Sequence, residues 1–362
     1  MLQENRVHGR GCGLLLIMAV MVLGLVSCGD GGGDGGSSGG GADTEPFELS
    51  LPPNLDEDEL KIPADNPLTK AKVELGKVLY FDKRLSSDDT ISCASCHDPN
   101  KGYSNGDAFA KGVGGAVGGR AAPSIVNRVF SEAQFWDGRA ATLEAQALGP
   151  IQAPVEMNMK LDDLVKKLAA IPGYPELFQK AFGSSAVTSD AIAKAIASFE
   201  RTVTSGNAPW DRHLSGDATA LTESQKRGLA LFTEKAKCST CHTGFNLTDE
   251  KYHNIGTTYE REKPDVGRHE VSKEDKDRGA LKTPTLRDIE LTGPYFSDGS
   301  AKTLEAVVDF YDKGGIKNPH LNENITKLNL TDQEKKDLVA IMKAFTGDTR
   351  VVSSPPAKFP GM

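Results

Sequence analysis

Apolar residues recur at helical spacing along much of the chain. Ala191, Ile192, Ala195, Ile196 and Phe199 form one stripe, and Leu338, Ile341, Met342 and Phe345 form another that stops at Gly347. Thr222-x-x-Gln225 and Thr331-x-x-Glu334 have the form of capping boxes, so each predicts the start of a helix. Two further helical patterns, Glu74-Leu75-Gly76-Lys77-Val78-Leu79-Tyr80-Phe81 and Lys226-Arg227-Gly228-Leu229-Ala230-Leu231-Phe232, each run into a short loop, and they read as two copies of a small helical module. No sustained period-two alternation competes. The Gly/Pro-rich stretches from Gly102 to Pro123 and from Thr257 to Pro284 read as long loops. The predicted fold class is mainly α.

The first apolar run, Leu14 to Val26, follows a basic start from Arg6 to Arg10 and is too short for a comfortable membrane span. It ends in Leu25-Val26-Ser27-Cys28, which resembles a bacterial lipoprotein signal peptide. Cleavage would remove residues 1–27 and leave Cys28 as an acylated first residue. The alternative is an uncleaved membrane anchor. Either way the folded part faces the periplasm or cell exterior. Residues 28–46 are mostly Gly, Ser and Asp and read as a tether with a mean reach of about 20 Å. What remains is long enough for two domains, 47–206 and 207–350, with a tail at 351–362 and a last segment able to pack back on the first domain. The net charge of −8 carries no nucleic-acid footprint.

Each helical module leads into the same chemistry. Cys93-Ala94-Ser95-Cys96-His97 and Cys238-Ser239-Thr240-Cys241-His242 both have the spacing C-x-x-C-H, in which two thiols can form thioethers to the vinyl groups of one haem while the histidine ligates its iron. Two C-x-x-C zinc knuckles or a pair of disulfides are the alternatives, and neither requires a histidine directly after both second cysteines. The expectation is two covalently bound haem c groups. Between the leader and Asp211 the only histidine is His97, and the only other soft ligands there are Met157 and Met159. An iron left without a second ligand can bind peroxide or oxygen, so chemistry is expected at the first haem unless one of those methionines, or a histidine from the other domain, caps it.

From Leu68 to Gly347 the sequence resembles the bacterial diheme cytochrome c peroxidases and the related MauG-type enzymes. The resemblance is carried by Cys96-His97-Asp98-Pro99, Gln134-Phe135-Trp136-Asp137-Gly138-Arg139-Ala140, Leu143-Glu144-x-Gln146-Ala147-x-x-Gly149-Pro150 and Val155-Glu156-Met157, then by the second C-x-x-C-H, Lys282-Thr283-Pro284-Thr285-Leu286-Arg287 and Gly293-Pro294-Tyr295-Phe296. It implies two c-type cytochrome-like haem domains joined by long loops. It also implies reduction of hydrogen peroxide at the N-terminal haem, with electrons reaching the C-terminal haem from a small cytochrome c or copper protein. By the same resemblance Trp136 lies between the haems, while Glu156 and Gln146 lie on the distal side of the first. A carboxylate over an open iron can take a proton from peroxide and return it to the departing oxygen, which makes Glu156 the candidate base. Gln146 could hold that carboxylate or a water, and Arg139 could equally pair with Asp137. Family members are often dimers, so a homodimer is part of the expectation.

Three departures from the family pattern stand out. The loop Lys111 to Arg120 lacks the histidine that caps the resting peroxidatic haem in the classical peroxidases, and Ala121 stands where the family commonly has an asparagine that helps bind calcium, so a calcium ion would have to rely on backbone oxygens. The segment around Pro294-Tyr295 has no methionine, which leaves Tyr295 as the nearest sixth ligand for the second iron, with His253, His269 and His320 as competitors. Peroxidase, MauG-like oxidase acting on a partner protein, and lipid-anchored electron carrier are the three functions that follow.

Overall fold

The computed structural model describes residues 41–259 and 263–362. The leader 1–27, Cys28 and the tether as far as residue 40 lie outside the described residues. Among the described residues the helices are α1 (Lys70–Phe81), α2 (Cys93–Cys96), α3 (Leu143–Gln152), α4 (Leu161–Ala170), α5 (Tyr174–Phe182), α6 (Ser189–Glu200), α7 (Pro209–Leu214), α8 (Glu223–Thr233), α9 (His269–Ser272), α10 (Leu304–Asp312) and α11 (Asp332–Lys343). The strands are the two-residue β1 (Ser205–Gly206), β2 (Tyr252–His253), β3 (Leu281–Lys282) and β4 (Thr349–Arg350), in the antiparallel pairs β1–β4 and β2–β3. The fold is mainly α, and among the described residues the loop expected over 257–284 holds only the single turn α9, a 3-10 turn and β3.

Threonine starts most of the long helices. Thr69, Thr142, Thr188, Thr222, Thr303 and Thr331 each accept a backbone N–H of the first turn, and at Thr222 and Thr331 the full capping box forms, with Gln225 and Glu334 accepting in return.

Glycine sets how closely the helices cross. A Cβ at Gly76 of α1 would lie 1.9 Å from the Ala195 carbonyl oxygen of α6, and one at Gly228 of α8 would lie 2.0 Å from that of Asp337 in α11. The two crossings build two apolar cores. One gathers Leu75, Leu79, Ile151, Leu164, Phe178, Ile192 and Ile196; the other gathers Trp210, Phe232, Leu338, Ile341 and Phe345. A third cluster of Tyr80, Tyr103, Val126 and Phe199 lies beside the first C-x-x-C-H motif.

The likeness of the two halves extends to the loops. A constant interval of 161 residues separates Asn127 from Asp288, both in left-handed backbone ahead of a 3-10 turn. The same interval separates the bridge Gln134–Ala140 from Tyr295–Ala301, Phe135 from Phe296 (both φ 68°), and the helix cap Thr142 from Thr303. The described residues from 41 to 362 pack as one compact unit. The last residues return to the first half, where Ser353 N donates to Tyr103 Oη at 3.0 Å and Arg84 Nη1 donates to Pro360 O at 2.9 Å.

A cavity shared by the two cysteine motifs

Both C-x-x-C-H motifs open onto one cavity of about 700 Å³. Cys96 and His97 line it from one side, Cys238, Cys241 and His242 from the other, and Trp136 belongs to the wall they share. Each imidazole is held the same way. His97 Nδ1 lies 3.3 Å from the carbonyl of Tyr103 and His242 Nδ1 lies 3.2 Å from that of Leu247, and both residues that supply these acceptors adopt positive φ, 58° and 52°. A bulky residue in left-handed backbone costs free energy, so these two turns are kept for where they aim the carbonyl. Burial lowers the pKa of both imidazoles, that of His242 to about 4, against the opposing hydrogen bonds to Leu247 and Pro284. With Nδ1 bonded to a carbonyl and the ring neutral, Nε2 is the nitrogen left for a metal. The Cys93, Cys96, Cys238 and Cys241 thiols are free and half-buried, Cys96, Cys238 and Cys241 line the cavity, and burial raises the pKa of all four. Thiol pair, adjacent imidazole and apolar surroundings fit one thioether-bound haem at each motif.

The 161-residue interval matches the walls beyond the imidazoles. Leu143, Gln146 and Pro150 of α3 line the cavity on the first side, where Leu304, Val307 and Tyr311 of α10 line it on the second. Gln134 is matched by Tyr295. Glu156 also lines the cavity, and its charge acts on the thiols of both Cys93 and Cys96, which puts it at the first motif. Burial raises the Glu156 carboxyl, and Arg139 partly offsets this. The glycine-rich loop closes over it: Val113 N donates to Glu156 O at 2.8 Å, and a Cβ at Gly112 would lie 2.2 Å from Val155 O, so only glycine allows that approach.

Trp136 is fixed from both halves of the chain. Its indole N–H donates to Ala121 O at 2.9 Å, its own carbonyl accepts Lys282 N at 2.7 Å, and Ala121 N donates to Ser297 O at 2.7 Å. The neighbouring charges are structural. Asp137 binds Arg120 at 2.7 Å and Arg139 at 3.0 Å, and Arg120 also binds Asp265 at 2.7 Å. Arg287, fully buried, forms a two-pronged pair with Asp211. Glu144 does the same with Arg201.

The candidate capping ligands separate clearly. Met157 and Met159 point into the first apolar core. His253 lines the cavity, but Nε2 lies 2.8 Å from Asp249 Oδ2 and Nδ1 lies 2.9 Å from the amide nitrogen of Asn322, so both ring nitrogens are engaged. His269 and His320 do not belong to the cavity wall; His269 bonds Glu274 O through Nδ1 at 3.0 Å. Tyr295 lines the cavity, 9% exposed, and burial pushes its phenol up to about 12. Tyr311 and Met342 share the second side, and Tyr311 is close enough for the Cys238 and Cys241 thiols to affect its titration. Tyr311 was not legible as a site residue, because it sits half-buried on an amphipathic helix like any core aromatic.

The sequence family described as di-haem cytochrome c peroxidase matches residues 70–219. The methylamine utilization protein MauG of Methylorubrum extorquens is 43% identical over 296 residues, spanning 81% of this chain and 83% of its own. The chain belongs to the di-haem cytochrome c peroxidase family. Cytochrome c551 peroxidase of Nitrosomonas europaea is 40% identical, over 79% of this chain and 83% of its own. A solved MauG-like protein associated with microbial copper homeostasis superposes with a TM-score of 0.76 at 32% identity, covering 83% of this chain and 96% of its own. A diheme peroxidase from Burkholderia thailandensis, 22% identical with a TM-score of 0.70, shares the fold. Membership of the family implies two c-type haems.

Proposed function

We propose that the chain reduces hydrogen peroxide to two waters at the His97 side of the cavity, with electrons delivered by a small cytochrome c or copper protein through the His242 side. Family membership makes it an oxidoreductase of the cytochrome c peroxidase class. The observation that carries the finer reading is the contrast between the matched walls: Gln146 and Glu156 line the first side of the cavity, whereas Val307 takes the position of Gln146 on the second.

Cys93 and Cys96 hold the first haem and Cys238 and Cys241 the second, with His97 and His242 as proximal ligands, in two domains spanning 47–206 and 207–350. When bound, the first iron supplies an open coordination position for peroxide and the electrons that cleave the O–O bond. Glu156 takes the proton from the nearer peroxide oxygen and returns it to the departing one, so that water rather than hydroxide leaves. Burial of that carboxylate raises its basicity toward the task. Gln146 orients the carboxylate or peroxide by hydrogen bonding. Trp136, locked between Ala121 O and Lys282 N, provides a fixed aromatic bridge between the two haems. Tyr295, which lines the cavity, would hold the second iron together with His242 and so leave peroxide to the first site. A lipid on Cys28 anchors the chain on the periplasmic side of the envelope, and two copies associate.

Peroxide-dependent oxidation of a reduced small cytochrome by the diheme holoprotein tests this reading. Turnover is expected; a fully loaded protein that turns over no peroxide contradicts it. The second reading, oxidation of residues of a partner protein, is favoured by Tyr295 in place of a methionine and by the 43% identity to MauG. It predicts that peroxide is consumed only when a specific protein is present.

A further inference from the structure

Glu200 is a carboxylic acid that the fold does not need. It ends α6 on the face buried by Ile192 and Ile196, is 4% exposed, lines the cavity, and has no hydrogen-bond partner for Oε2. Leaving a buried polar group unsatisfied costs stability. The groups that face it are already engaged. Arg201 is held by Glu144 at 2.7 and 3.0 Å, Arg128 by Gln134 Oε1 and Ala133 O, and the Tyr80 hydroxyl of α1 by His97 O at 2.5 Å. Cys93 of α2 is the remaining neighbour, and the Glu200 charge raises its thiol pKa. Burial pushes the Glu200 carboxyl up to about 7, while Arg201 and Arg128 hold it down.

The internal repeat shows what packing alone would place there. Asn127 N donates to Val203 O and Asp288 N donates to Phe345 O, and Gly76 crosses Ala195 as Gly228 crosses Asp337. Both relations set the same register of 142 residues between α6 and α11, and in that register Glu200 matches Met342, a buried apolar residue that lines the second side of the cavity. A thioether satisfies the position in one half; the other half carries an acid with a free oxygen.

We propose that Glu200 is the proton-accepting group of the first haem site, binding one proton when an electron arrives there and releasing it when the electron leaves. The donor supplies the electron and solvent supplies the proton, which bonds to a Glu200 carboxylate oxygen, so each reduction adds no net charge to a buried, low-dielectric space. Reduction of one peroxide consumes two electrons and two protons, and a proton stored on Glu200 is held beside the site that uses it. This rests on a haem at the first motif and is indifferent to whether peroxide or a partner protein is the substrate.

Spectroelectrochemical titration of the first haem in the holoprotein, repeated across the pH range spanning 7, reads the coupling directly. The parent potential is expected to fall with rising pH at a slope approaching one proton per electron, and the slope is expected to vanish in Glu200→Gln and Glu200→Met while surviving in Glu156→Gln. Glu200→Met carries the side chain already used at the matching position, so packing is retained, and the haem absorbance of denatured protein confirms loading. A slope unchanged in both loaded Glu200 variants, or one lost only in Glu156→Gln, overturns the inference. Absent peroxide turnover with the slope intact would count against the proposed reaction and leave this coupling standing.

Discussion

Gln146 and Val307 occupy matching positions on α3 and α10, 161 residues apart, and both line the same cavity. One repeat offers peroxide an amide and, nearby, a carboxylate; the other offers a branched hydrocarbon. In the proposed reading, divergence at such wall positions divides reaction from electron transfer between two similar modules.

Changing Glu156 to Gln should lower kcat/KM for peroxide by roughly two to four orders of magnitude with both haems retained. The base works only when ionised, so parent activity should fall as pH drops through the Glu156 pKa, and burial places that limb above the ordinary carboxylate range. The variant should lack the limb. Steady-state rates across pH check both statements, and parent-like rates in the variant would remove Glu156 from the mechanism.

Replacing Trp136 by Phe deletes the indole bond to Ala121 O and the readily oxidised ring. Cyanide binding and reduction of the second haem by the donor should be unchanged, whereas transfer onward to the first haem should slow. Stopped-flow traces that show equal transfer rates in parent and variant would make Trp136 a packing residue only.

The helix crossings give a test independent of the haems. Gly76→Ala and Gly228→Ala would each push a Cβ to about 2 Å from a backbone oxygen of the facing helix. Overpacking of this kind costs about 1–3 kcal/mol. Thermal melts should show a lowered Tm for both variants, and an unchanged Tm would mean that the helices separate freely.

Much of this was legible in the chain. The stripe from Ala191 to Phe199 and the Leu338 to Phe345 pattern became α6 and α11, and the two capping boxes became the N-caps of α8 and α11, because local spacing and side-chain chemistry dictate them. Glu200 carried a signal that periodicity alone passes over: it continues the spacing of Ile192 and Ile196, a charged residue on an apolar face. The matching of Gln146 with Val307 was hidden because it depends on loop geometry, on Asn127 and Asp288 in left-handed backbone and on the paired bridges, rather than on any shared residue type. The engagement of both His253 nitrogens by Asp249 and Asn322 joins residues 69 positions apart and could be seen only in three dimensions.

The central claim is that the first iron is open while the second is closed. Among the described residues Met157 and Met159 are turned into the apolar core and both His253 nitrogens are engaged elsewhere, so none of these candidates is available to the His97 side, whereas Tyr295 faces the cavity at the His242 side. Electron paramagnetic resonance of the fully oxidised holoprotein reads both irons at once. The account predicts one high-spin ferric signal, abolished by cyanide without prior reduction, alongside one low-spin signal. Two low-spin signals, with peroxide turnover appearing only after partial reduction, would contradict it.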